Sequence, residues 1–128
     1  MGATDFTTTA TGRNAQEAYR AACEEATYEH GHDPYNGTIS TTSGVRELPS
    51  SLFKGLRKET RVLILECLVE DTCEGHLRLA PKHKELYQRL RSHGYHVEKW
   101  GPALALCLGP AKGQRGHKLF IFVGLAAC

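Results

Sequence analysis

The chain has 128 residues and 41% apolar side chains, enough for one domain with its own core and too few for two. No run of about 18 apolar residues exists, so no helical membrane span is expected. The net charge of +2 is polarised: residues 1–48 hold seven acids against Arg13, Arg20 and Arg46, whereas residues 49–128 hold thirteen bases against seven acids. That asymmetry points to a polyanionic partner, beside the plainer reading of a solvated basic face.

Met1–Asp5 has no basic segment leading into an apolar stretch, so no signal peptide is expected, and Phe6 stands where a myristoylation signal needs Ser or Thr. The terminal Cys128 cannot serve as a CaaX cysteine. Cys23, Cys67, Cys73, Cys107 and Cys128 are odd in number and irregular in spacing, which reads as free thiols in a reducing, cytoplasmic setting.

Thr4–Thr11 is threonine-rich and suits an edge strand, ended by the turn at Gly12-Arg13. Asn14 opens a helix, with Glu17 at the N3 position and Ala15, Ala18, Tyr19, Ala22 and Ala26 in one apolar stripe. Gly31 stops that helix, and Asp33–Gly37 carries strong turn chemistry. Thr38–Val45 reads as a second strand. Pro49-Ser50-Ser51 could cap a short helix bearing Leu52, Phe53 and Leu56. Segment 59–72 is open between a buried strand and a helix. Helix is favoured, because β-branched residues are few.

Pro81 fits the first turn of a helix over Lys82–Ser92 that ends at Gly94. Tyr95–Trp100 looks extended, with Trp100 as a core residue at the start of the next element. Ala103–Leu108 and Leu119–Leu125 form a hairpin of central strands covered on both faces, joined by the turn-rich segment Gly109–His117. The order β-α-β-(α)-α-β-β implies an α+β fold, a small, mostly antiparallel sheet with helices packed on one face. No repeat or linker divides the chain.

Chemistry-bearing residue types gather at Glu29, His30, His32, Asp33 and Tyr35, beyond a helix exit. His30 and His32 are weak candidate metal ligands, and with Glu29 they frame one alternative, a small metal-dependent hydrolase. His-x-His is only half a zinc site, and the metalloprotease spacing is missing. Cys67, Cys73, His76 and His83 match no common zinc spacing. No cofactor is implied and no catalytic residue is assigned.

Gly109–Lys118 resembles a phosphate loop only superficially, since a strand follows it. It reads better as a basic hairpin tip carrying Lys112, Arg115 and Lys118. Lys54, Arg57, Lys58 and Arg61 would make a basic stripe on a helix, although without interleaved aromatics for base stacking.

Tyr28-Glu29-x-Gly31-His32-x-x-Tyr35-x-Gly37-Thr38-Ile39 and Lys99-Trp100-Gly101-Pro102-Ala103, with Phe122-Val123-Gly124 in the closing strand, resemble blocks in small proteins of tailed phages and prophages. The resemblance covers about half the chain and departs over Leu48–Arg91. It implies a genomic setting and names no activity.

The expected function is therefore that of a non-enzymatic accessory protein binding a host or phage macromolecule. The candidate contacts are Glu29, His32 and Tyr35 on one side and Lys112, Arg115 and Lys118 on the other. The partner is expected to be protein or nucleic acid and not a membrane, with a nucleic-acid binder using the basic half as the other alternative. An exposed edge on the last hairpin would also allow homodimer formation by strand pairing.

Overall fold

A computed structural model of the chain describes residues 3–30, 38–70, 81–95 and 101–127. Strand β1 (Ala3–Gly12) leads into helix α1 (Ala15–His30). A 3-10 turn at Ile39–Thr41 precedes the short strand β2 (Val45–Glu47), and a second 3-10 turn spans Ser50–Phe53. Helices α2 (Lys58–Glu70) and α3 (Pro81–Ser92) follow, then strands β3 (Ala103–Pro110) and β4 (Lys118–Ala127). The α+β class and the element order are as expected.

The sheet runs β1-β4-β3-β2, with both hairpin strands in the middle. β4 pairs antiparallel with β1 along ten residue pairs and antiparallel with β3, while β2 lies parallel to β3. β1 is the edge strand anticipated. Among the described residues, β1 and the short β2 are the two edges, and β3 of the last hairpin has no strand on its outer side beyond Ala105.

Helices cover both faces of the sheet, which corrects the one-face expectation. Ala103 and Ala105 of β3, with Phe120 and Phe122 of β4, are buried with Ala15, Ala18, Ala22 and Ala26 of α1. The alternate residues Leu104, Leu106, Ile121 and Val123 are buried with Ile64, Leu65 and Leu68 of α2 and Tyr87 and Leu90 of α3. The reason is topological. β1, β2 and β3 run the same way, and the β1-to-β2 crossover spans the sheet outward while the β2-to-β3 crossover steps back. Crossovers of one hand that travel in opposite directions must use opposite faces.

Local chemistry sets the element ends. The Glu17 amide donates to Asn14 Oδ1 at 2.8 Å, the expected N-cap of α1. At Gly94, φ is +83°, and the Tyr95 and Gly94 amides close a Schellman end on the Leu90 and Arg91 carbonyls. Arg46 of β2 donates to the Gly94 carbonyl at 2.8 Å and stacks over the Tyr95 ring, so it neutralises the negative end of α3. Segment 59–72 is helical through Glu70, as favoured.

Of the strand expected over Thr38–Val45, only Val45 is in one, as the first residue of β2. The Thr38 hydroxyl accepts from the Ser40 amide, and the Thr41 and Thr42 hydroxyls donate to the Thr38 and Ile39 carbonyls at 3.0 and 2.6 Å. These local bonds close a turn and outcompete the β-propensity of threonine. The expected turn at Asp33–Gly37, the Gly31 stop, and the extended reading of residues 96–100 with Trp100 fall outside the described residues. No described helix is long and apolar enough to cross a membrane.

Candidate functional site

Two surfaces emerge, at opposite ends of the sheet. The first is a cleft of about 300 Å³ between β1 and the C-terminal half of α1. Phe6, Ala22, Ala26 and Ile39 make its apolar part, and Thr8, Glu25, Glu29 and Thr38 its polar part. Glu25 and Glu29 are exposed and stand one turn apart on the helix.

The end wall of this cleft is fixed by a small polar network. Thr42 gives its hydroxyl proton to the Ile39 carbonyl, so Tyr19 is left as donor to Thr42 Oγ1, at 2.7 Å. This bond staples the 38–42 turn to α1. Burial pushes the Tyr19 hydroxyl from 10.0 up to about 12, and burial also pushes the Cys23 thiol up. Cys23 therefore stays a thiol at neutral pH.

The raised Tyr19 value has a sign for stability. The unfolded tyrosine ionises near pH 10 and the folded one near 12. Its contribution is intact below pH 10 and falls as pH rises through 12. Tyr19→Phe is expected to cost about 1 kcal/mol at pH 7 through the lost hydrogen bond. In urea titrations, the gap between wild type and variant should close as pH rises above 10. A gap independent of pH would refute the assignment.

The second surface is basic. The hairpin tip is closed by bonds from the Ala111 amide to the His117 carbonyl and from the His117 amide to the Gln114 carbonyl. Lys112, Arg115 and Lys118 are all exposed there. His117 lies 3.8 Å from Glu17 in the first turn of α1. Arg61, in the first turn of α2, donates to the Cys107 carbonyl near the end of β3. The start of α2, with exposed Arg57 and Lys58, thus joins the hairpin end of the sheet.

The expected stripe Lys54-Arg57-Lys58-Arg61 does not form one face. α2 begins only at Lys58, and Arg61 points inward. Lys54 instead lines a depression of about 240 Å³ with Lys82, His83 and Arg89 of α3. Arg89 is offset there by Glu85 at 3.8 Å. Sequence reading missed Lys82 and Arg89, whose only signal is their i, i+7 spacing on α3.

No known family, curated protein or solved structure matches this chain.

Of the residues singled out by sequence, Glu29 lies on the cleft, while Lys112, Arg115 and Lys118 share the basic end. His32, Tyr35, Cys73, His76 and the His30 side chain fall outside the described residues. Among the described residues, no three His, Cys, Asp or Glu side chains group as a metal site requires. Phe6 and Glu25 were also missed, because only folding brings β1 against α1.

Proposed function

We propose that this domain is an accessory binding module of phage or prophage type that engages a polyanionic macromolecule, nucleic acid first, through its basic end. The supporting observation is convergence: elements far apart in sequence supply Arg57, Lys58, Lys112, Arg115 and Lys118 to one end of the sheet. Lys54, three residues from Arg57, extends this charge toward Lys82 and Arg89. The phage setting rests on the Tyr28–Ile39 and Lys99–Ala103 blocks.

Lysine and arginine without stacking aromatics favour phosphate contacts over base readout. Binding should therefore be insensitive to sequence and steep in salt. The test is fluorescence anisotropy of labelled single- and double-stranded DNA and RNA at about 50 and 200 mM salt. The triple variant Lys112→Gln/Arg115→Gln/Lys118→Gln is expected to bind about tenfold more weakly at the lower salt. Its salt slope should be shallower by about 2–3. Equal binding by the triple variant would remove the hairpin from the interface, and no binding by wild type would end the proposal.

A further inference from the structure

The basic end of the domain has a shape as well as a charge. The sheet does not stop evenly there. β1 stops at Gly12, paired with Lys118, and β2 pairs with β3 only as far as Ala105. The β3–β4 hairpin runs on past both. Pro110 pairs with Lys118, the Ala111 amide bonds the His117 carbonyl, and residues 112–116 are exposed without a break. Each arm overhangs the end of β1 by about three residues, or about 10 Å of strand.

Cations stand on both sides of this projection, in separate layers of the fold. Arg13 follows Gly12 and leads into α1, which covers one face of the sheet. Arg57 and Lys58 stand at the start of α2 on the other face, which Arg61 ties to the Cys107 carbonyl. Lys112 and Arg115 are on the tip itself, and Lys118 is at its base. All six are exposed. The described acids set among them are Glu17, 3.8 Å from His117, and Glu59 in the first turn of α2, so positive charge prevails.

These dimensions match one groove. The major groove of B-form DNA is about 12 Å wide and about 8.5 Å deep, and it admits a two-stranded β-ribbon. A projection of about 10 Å reaches its floor. The sheet and half of each flanking helix separate the two outer layers by about 15–20 Å, so their long basic side chains fall on the phosphate rows that border the groove.

We infer that the ligand of the basic end is B-form duplex DNA, with the hairpin tip in the major groove and Arg13 and Arg57–Lys58 on the two phosphate rows beside it. This rests on the nucleic-acid reading above and narrows it. The major groove of an RNA duplex is deep and narrow and does not admit side chains. A single strand is held by stacking its bases on aromatic rings. Tyr28, the exposed large apolar side chain among the described residues, lies near the far end of α1 from Arg13. Contacts to both borders are with phosphate, so preference for the groove needs no preference for sequence.

The test is anisotropy of the full chain with four fluorescein-labelled probes of one sequence, about 20 nucleotides long: a DNA duplex, an RNA duplex, a DNA single strand, and a DNA duplex with bulky groups at pyrimidine C5, which fill the major groove. The plain DNA duplex should bind about tenfold more tightly than each of the other three. Arg13→Gln should weaken its binding and lower the salt slope by about 1, and Arg57→Gln/Lys58→Gln should lower it by about 2. Equal affinity for the blocked and plain DNA duplexes, equal or tighter binding of the RNA duplex or the single strand, or a salt slope unmoved by Arg13→Gln would each overturn this inference while nucleic-acid binding itself stood. No binding of any probe would end both.

Discussion

Gly12→Ala is expected to destabilise the domain by about 3 kcal/mol, near the upper end of the usual overpacking range. In a chain of 128 residues that is a melting-temperature drop of about 10 °C. Where space allows, Gly→Ala stabilises by about 0.4–1 kcal/mol, so the sign here is diagnostic. A β-carbon at Gly12 would lie 2.6 Å from the Ala18 amide nitrogen and 3.0 Å from Ala18 Cα. Both are backbone atoms, so relief requires α1 to move away from the end of β1. The alanine stripe that holds α1 close to the sheet, Ala15, Ala18, Ala22 and Ala26, opposes that movement.

Gly124→Ala serves as the comparison. There the β-carbon would meet Phe6 Cε1 and Cζ at 3.0 Å, the far end of a ring that can swing toward the cleft. Its cost should be about 1 kcal/mol. Urea denaturation measures both, and equal stability of Gly12→Ala and wild type would rule out the close approach of α1.

The second large effect is expected at Arg61. Its guanidinium donates to the Cys107 carbonyl at 2.9 Å and to the Phe53 carbonyl at 3.1 Å, tying α2 to β3 and to the 3-10 turn before it. The tie falls where the β3–β4 register shifts, between Cys107 and Gly109. Arg61 Nε is buried with no partner among the described residues, so part of the gain is offset by desolvation. Arg61→Met keeps the stem and loses both bonds, at an expected cost of about 2–3 kcal/mol. Lysine has a point charge in place of a planar fork, so Arg61→Lys should recover less than half of that loss.

This variant also separates two roles for the basic residues near α2. Arg61→Met should leave nucleic-acid affinity per folded molecule unchanged, whereas Arg57→Gln at the exposed helix start should weaken it. Thermal melts and anisotropy on the same preparations check both. Affinity lost with Arg61→Met in the folded state would restore the stripe as an interface.

The contrast between Arg61 and Lys112 shows what could be read before folding. Helix α1 was legible because the Asn14 cap and the alanine stripe are local and agree. The hairpin tip was legible because Gly113 and Gly116, both at positive φ, mark turns by themselves. α2 was only half legible: its straight-chain residues favoured a helix, but so short an apolar run left a buried strand open.

The 38–42 turn was misread because threonine hydroxyls can serve a turn as readily as a strand, and the choice depends on which carbonyls they reach. The direction of Arg61 depends on where β3 lies, and the placement of helices on both faces depends on strand order. Neither is a local property. The cleft was half legible: Glu29 drew attention as part of a helix exit, but its neighbour Phe6 is more than twenty residues away in the chain.

The position of β4 has a consequence for synthesis. Residues 118–127 leave the ribosome after every other described element, yet they form a middle strand and pair Ala3 with Ala127. Loop closure is most costly for that ladder, which is also the one that completes the sheet. A nascent chain that ends before β4 leaves β1 open on both edges and gives β3 only the short β2 as a neighbour. Folding therefore waits for the last strand. Until β4 is released, the floor under α1 lacks Phe120 and Phe122 and the basic hairpin has no return strand, so the cleft and the basic end come into being together.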